Sequence, residues 1–263
     1  MMFGTHVPIL NTLFDTYSAA DEMNMPSFQI FLGNPKTYRR RQIDDTDIKK
    51  VIEKTTTTMF IHSPYIFSLC NQDVHEKCKE SLIYELEVCG KLGCRRCGGV
   101  VVHPGSSKDT QQGLDRIVEN INIMYSSHEN LGTLLLENSC AQGTTLPHTL
   151  EHIDYIMKHI MPDAKVGVCI DTCHSFASGM TDFEDPYAFR RKIEESFGND
   201  KLKLIHLNDS MTPFNSKKDR HHTLGAGHIW TSKQKLRNFL GAFWDATMVT
   251  ETGSYLEDLS YAM

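Results

Sequence analysis

Eight short apolar runs alternate with seven longer amphipathic stretches along 263 residues, and six successive runs, the third to the eighth, deliver a His, Asp or Glu at their carboxyl ends. Together these observations predict an α/β fold, a TIM (β/α)8 barrel whose parallel strands are buried on both faces. The length agrees, since such a barrel takes about 250 residues. The runs cover 2–6, 28–32, 59–62, 99–103, 133–137, 166–170, 203–207 and 247–250. Each is a continuous stretch rich in Val, Ile, Leu or Phe, as a doubly covered strand requires. Helical stretches fall between them at 10–23, 46–54, 72–92, 110–127, 147–160, 185–197 and 231–241. Only 257–263 remain after the last run, so the C-terminal helix is expected to be short or missing. No Gly/Ser/Pro linker or low-complexity tract interrupts the pattern, and one domain over 1–263 is the expectation.

Composition narrows the class. A hydrophobic fraction of 40% suffices for a core, while no apolar run nears the roughly 20 residues of a membrane span. The opening MMFGTHVPIL lacks a basic segment leading into an apolar one, so an intracellular protein is expected, in cytoplasm, nucleus or a viral replication site, not secreted. Eight cysteines are scattered through helix-like and strand-like segments, a distribution that favours reduced thiols over a disulfide scaffold. Cys94 and Cys97 form a lone CxxC without a second pair at zinc-finger spacing, to be weighed against plain thiols at a helix end. The formal charge is −6. Bound divalent ions would reverse the local sign around clustered carboxylates, so net charge does not exclude nucleic acid. Basic runs at Lys36 with Arg39–Arg41, at Lys217, Lys218 and Arg220, and at Lys233, Lys235 and Arg237 read, taken alone, as solvated faces.

A single His at a strand end is commonly a hydrogen-bonded structural group. Here the candidates are His62, His103, Glu137, Asp171, His174, His206, Asp219, His221 and Glu251. Barrel enzymes assemble their sites from strand carboxyl ends and the loops that follow, so sequence-distant side chains converge. Asp219 and His221 are two residues apart, and an extended backbone points both the same way. Oxygen and nitrogen donors without cysteine suit Zn²⁺ or Mn²⁺. Nine are too many for one ion with an open position; with a bridging carboxylate they suit two or three. Such clusters are a recurrent solution to phosphoester hydrolysis.

The motifs HSPY, VVHPGS, LLLENS, CIDTCH, HLNDS, DRHHTLGAGHI and VTET, in this order, resemble the successive signatures of endonuclease IV, the zinc-dependent apurinic/apyrimidinic endonuclease family. The resemblance runs from FGTHV to ETG. It implies a TIM barrel with three Zn²⁺ ions, Mn²⁺ being an option at one site. It also implies a DNA-repair hydrolase acting as a monomer on double-stranded DNA, with no membrane association. Cleavage would fall 5′ to an abasic site and leave a 3′-hydroxyl and a 5′-deoxyribose phosphate; 3′-phosphodiesterase and exonuclease activities remain open. Matched motif by motif, one zinc would take His62, His103 and Glu137. The second would share Glu137 and take Asp171, His206 and Glu251, and the third would take His174, Asp219 and His221. Glu137 and Glu251 would carry the catalytic roles.

The family bends the duplex and flips the abasic nucleotide, which is cheap where a base is already missing. Tyr65 matches its intercalating tyrosine, and Ile66 stands where an apolar wedge is expected. Lys36 occupies the place of an inserting arginine without a guanidinium to stack. Arg220 and His222 are further candidates for DNA contact, and the Arg39–Arg41 run for a phosphate contact. His6, Asn138 and His228 are candidates for supporting the ligands. Two rivals stand beside this reading. A metal-dependent sugar isomerase or epimerase could use Glu137 and Glu251 on the same barrel, though it needs neither the DRHH pair nor both His62 and His103. A non-catalytic DNA-damage binder would gain little from an open metal cluster.

Overall fold

A computed structural model describes residues 2–71 and 76–263. Eight parallel strands close into a barrel: β1 (Met2–His6), β2 (Ser27–Ile30), β3 (Thr58–His62), β4 (Cys97–Val102), β5 (Leu134–Glu137), β6 (Val166–Asp171), β7 (Leu202–His206) and β8 (Thr247–Thr250). Spatial order follows chain order, and closure comes from β8 pairing with β1 between Met2↔Thr247 and Thr5↔Thr250. Around the barrel lie α1 (Leu13–Glu22), α2 (Asp45–Lys54), α3 (Glu76–Leu92), α4 (Thr110–Ser127), α5 (Leu150–His159), α6 (Thr172–Ser178), α7 (Pro186–Phe197), α8 (Lys233–Ala242) and α9 (Tyr255–Ala262).

Helix starts are set by capping chemistry, which explains where they depart from the apolar pattern. Thr12, Asp44, Asp109, Thr149, Asp185 and Ser232 each accept a hydrogen bond from an amide of the first turn, satisfying a donor that the helix itself cannot. Thus α1 starts at Leu13 rather than 10, and α5 at Leu150 rather than 147. The expected start of the third helix at 72 lies outside the described residues. The C-terminal helix is present and short, and α6, immediately after β6, was not anticipated. Two antiparallel ribbons, Gly105–Ser106 with Thr145–Leu146 and Asp209–Ser210 with His221–His222, rim the carboxyl mouth.

Strand alternation divides the core. Outward residues such as Phe28, Ile30, Met59, Ile61, Val100 and Val102 pack against α1–α4. Val168, Ile170, Ile205 and Met248 pack against α5, α7 and α8. The inward residues Phe60, Val101, Leu135, Cys169, Leu204 and Val249, one from each of β3–β8, fill the barrel interior.

Candidate metal centre

The interior plug fixes the site by period two. Two residues beyond Phe60, Val101, Leu135, Cys169, Leu204 and Val249 stand His62, His103, Glu137, Asp171, His206 and Glu251. Each lies on the same inward face, one layer nearer the carboxyl mouth. His174 joins them from the first turn of α6, where Asp171 Oδ1 accepts its backbone N–H at 2.7 Å. Asp219 and His221 close the ring from the loop after β7: Asp219 Oδ2 lies 3.1 Å from His174 Nε2, and Asp219 Oδ1 lies 3.2 Å from His221 Nε2. All nine residues are thereby brought together. Among the described residues, the groups with donor atoms mutually close enough to share an ion include Glu137 with Asp171, His206 and Glu251; His174 with Asp219 and His221; Glu137 with His62 and His206; and Asp171 with Cys173 and His221. His103 groups with Glu137 and His174, and His62 and His103 both face Glu137 Oε2.

Glu137 is the hub. Fully buried, it has Oε1 3.1 Å from His206 Nδ1 and 3.3 Å from His174 Nδ1. Its Oε2 lies 3.3 Å from His62 Nε2 and 3.4 Å from His103 Nε2, yet that oxygen has no hydrogen-bond partner, and neither does the buried His221 Nε2. Orphaned buried polar atoms are costly, and here they face a gap bordered by other lone pairs. That is the arrangement a cation would satisfy. Four carboxylates share this space, and burial alone would drive them neutral. Against that burial, His103 and His206 hold Glu137 well below the usual carboxylate range. His206 and His221 likewise outweigh burial at Glu251 and bring it to about 2. At Asp171 burial prevails and the carboxyl is raised. Burial pushes His103 down to about 4. His221 rises to about 9 despite burial, because Asp171 and Asp219 face it.

Histidine tautomers are also set. His62 Nδ1 lies 2.7 Å from the Ser63 carbonyl, and His174 Nδ1 lies 2.9 Å from the Asn138 carbonyl. A carbonyl only accepts, so each Nδ1 donates and Nε2 is the nitrogen turned into the centre, the arrangement usual for metal-binding histidines. The donor set and these orientations fit divalent ions.

Several residues missed in the sequence support the ligands. Asn208 donates from Nδ2 to Asp171 Oδ2 at 2.6 Å and to Glu251 Oε2 at 3.1 Å, while its Oδ1 accepts the Glu251 N–H at 3.0 Å. Gln29 reaches Glu251, His206 and His6. Asn138 accepts the N–H of the candidate ligand Asp171 at 2.7 Å. His6 touches the centre through Gln29. His228 has an exposed side chain and braces the mouth ribbon through its backbone N–H to Ser210 instead.

At the mouth, Tyr65 is 58% exposed and Ile66 39%. The Tyr65 ring packs on Phe31, His62 and His103. Its backbone N–H donates to the Pro35 carbonyl, stitching this loop to the one that carries exposed Lys36. Arg220 and Tyr65 both border the ligand cleft of about 260 Å³ and an adjoining one of about 410 Å³ that also contains Ser139 and Gln142. His222, half-buried, accepts the Thr223 N–H at its Nδ1.

Two basic runs do other work than their composition suggested. Arg40 is buried, with Nε 3.0 Å from Glu85 Oε1 and 2.7 Å from Ser81 Oγ, so it is unavailable as a phosphate contact. Arg41 binds the Leu10 carbonyl, while Arg39 stays exposed. Lys233 and Arg237 bond carbonyls of the C-terminal segment, and Lys235 pairs with Glu184. All eight cysteines are free; Cys94 is exposed and Cys97 buried, and neither belongs to a metal-capable group among the described residues.

Fold and site together define a barrel of the xylose isomerase-like class, and a family profile described as xylose isomerase-like TIM barrel matches residues 17–243. Within that class, the probable endonuclease 4 of Thermosipho melanesiensis is 33% identical over 238 residues, spanning 86% of this chain and 83% of the relative. The crystal structure of endonuclease IV from Thermus thermophilus has a TM-score of 0.84 at 25% identity, covering 100% of this chain and 97% of that one. A D-tagatose 3-epimerase-like protein has a TM-score of 0.70 at 18% identity, over 99% of this chain and 94% of that one, a likeness of fold alone. The chain belongs to the endonuclease IV family. It is therefore an enzyme of the endonuclease class, and the sugar-epimerase likeness extends to the barrel fold.

Proposed function

We propose that this protein is a DNA-repair hydrolase that incises the backbone of double-stranded DNA 5′ to abasic sites, leaving a 3′-hydroxyl and a 5′-deoxyribose phosphate. The observation that carries the reading is the buried hub carboxylate, Glu137, with an unpartnered oxygen facing His62 and His103 at the open end of the barrel. Family membership supports the substrate class. Three Zn²⁺ ions are the proposed complement, with Mn²⁺ an alternative at one site. His62, His103 and Glu137 would hold the first, Glu137, Asp171, His206 and Glu251 the second, and His174, Asp219 and His221 the third. When bound, such ions supply a hydroxide nucleophile at neutral pH and neutralise charge on the attacking and departing oxygens.

The chain's own residues supply the rest. Glu137 and Glu251 hold the ligand sets in register, and Asn208 fixes Asp171 and Glu251 against each other. Arg220, beside the cleft, offers a guanidinium to a backbone phosphate, and His222 a ring for a second one. Exposed Lys36, Tyr65 and Ile66 are the proposed side chains for the gap left by the missing base. An abasic site has no base edge to read, so recognition rests on phosphate contacts and deformability. The site is complete within one chain, which supports a monomer of one domain. Among the described residues no helix is long and apolar enough to cross a membrane; an intracellular role, in cytoplasm, nucleus or a viral replication site, is the matching proposal. Repair of blocked 3′ ends by phosphodiesterase or exonuclease action is a further expected activity of the same centre.

The test is nicking of an end-labelled duplex with one abasic analogue, beside an undamaged control, before and after prolonged chelation. A cut confined to the 5′ side of the lesion, lost on chelation and restored by Zn²⁺ or Mn²⁺, is the expected result. A folded, metal-loaded protein that binds the damaged duplex without cutting would instead be a damage-binding module.

A further inference from the structure

Gln29 lies in the middle of β2, between outward Phe28 and Ile30, with its fully buried amide directed into the barrel. Its Nε2 is 2.8 Å from Glu251 Oε1 and 3.2 Å from His6 Nδ1, and its Oε1 is 2.8 Å from His206 Nε2. The roles in this set are forced by valence. A carboxylate oxygen accepts, so the amide nitrogen faces Glu251 and the amide oxygen is left for His206. That oxygen can only accept, so His206 Nε2 must carry the proton. The second amide hydrogen goes to His6 Nδ1, which accepts it. His206 then has only Nδ1 to offer the centre, and Nδ1 indeed lies 3.1 Å from Glu137 Oε1 and 3.3 Å from Glu251 Oε2. His62 and His174 turn the opposite nitrogen inward, and their orientation is set by backbone carbonyls. At His206 the same task falls to a side chain.

We infer that Gln29 is a positioning residue of the metal centre: through one amide it sets His206 to bind through Nδ1 and orients Glu251, so it tunes the affinity of the ion held by Glu137, Asp171, His206 and Glu251. The inference rests on the metal-centre reading above. His6 anchors the amide from β1, and Gln29 pairs with His6 in the barrel register, which keeps the three strands β1, β2 and β8 linked at this layer. Partners that orient a ligand of this kind typically contribute about 10–100-fold in metal affinity.

Gln29→Met keeps the length and removes both the donors and the acceptor. Gln29→Glu keeps an acceptor for His206 Nε2–H and removes the donor to Glu251. Zinc affinity would be measured by chelator competition on the whole chain, and the histidine rings followed by ¹⁵N NMR of the zinc-loaded protein. In the unsubstituted protein a His206 Nε2–H protected from exchange is expected, with zinc on Nδ1. Gln29→Met should lose that protection and release one ion about 10–100-fold more readily. Gln29→Glu should retain the Nε2–H. Equal affinity for all ions in Gln29→Met, or zinc on Nε2 of His206 in the unsubstituted protein, would overturn the inference. Absence of zinc binding by the unsubstituted protein would instead refute the metal centre itself. Neither readout involves DNA.

Discussion

Replacing Glu137 by Gln tests the hub directly. The carboxylate is fully buried and sits 3.1 to 3.4 Å from four imidazole nitrogens, two at each oxygen. The amide is nearly isosteric, so packing is retained. One oxygen becomes an NH₂ that cannot ligate, and the negative charge shared between two proposed ions is lost. Removing a single oriented group that stabilises transition-state charge costs about 10²–10³ in rate. With ions affected at both oxygens the loss should reach about 10⁴–10⁶, equivalent to about 5–8 kcal/mol at 1.36 kcal/mol per decade. The metal-free fold should be less stable, because the surrounding histidines hold the carboxylate well below its usual range and that attraction is lost with the charge. The assay is single-turnover nicking of the end-labelled abasic duplex, with zinc content and melting temperature measured on the same preparation. Full zinc content with activity within about tenfold of the unsubstituted protein would refute the hub role, the benchmark being the loss from one oriented group.

Three further expectations follow from named contacts. Tyr65→Ala should weaken discrimination between abasic and intact duplex more than the rate of cleavage once bound, and an equal loss on a flexible single-stranded substrate would count against a wedge. Restoring zinc to the chelated protein at about 100 times its dissociation constant should stabilise it by about 2.7 kcal/mol per site. That is a rise of about 5–10 °C per site in the melting temperature; no shift would show that the carboxylate cluster is satisfied without ions. Glu85→Ala strands the buried Arg40 guanidinium and frees Ser63 Oγ, which donates to Glu85 at 2.6 Å. Breaking such a buried pair costs about 3–5 kcal/mol, so calorimetry should find melting lowered by about 6–20 °C, and a change under about 2 °C would mean that the pair contributes nothing net.

Chemistry at strand ends was legible because a parallel barrel leaves little freedom. Once eight apolar runs alternate with helices, every carboxyl end must point to one mouth, and period-two alternation decides which side chains enter it. His62, His103, Glu137, Asp171, His206 and Glu251 follow from that rule, each two residues beyond an interior apolar side chain. Helix ends were legible less sharply. Thr12 and Thr149 lie outside the helices they cap, so apolar periodicity overran them by a turn. The short helix α6 is hidden in CIDTCHSFAS, where Asp171 both ends a strand and caps a helix.

The sequence by itself determined the barrel, the family and the nine candidate donors, because these depend on local pattern and on motifs whose spacing survives in one dimension. Tertiary structure alone decided which polar groups serve those donors. Gln29 stands in an apolar run and Asn208 close behind a candidate ligand, and nothing local says that one amide spans β1, β7 and the end of β8, or that the other clamps Asp171 to Glu251. Tertiary structure likewise decided the fate of three adjacent arginines. Arg40 is withdrawn from solvent by Glu85, far along the chain, whereas Arg39 remains exposed. Charge is written in the sequence, but whether a charge meets water, a phosphate or a buried partner depends on which distant segment folds against it.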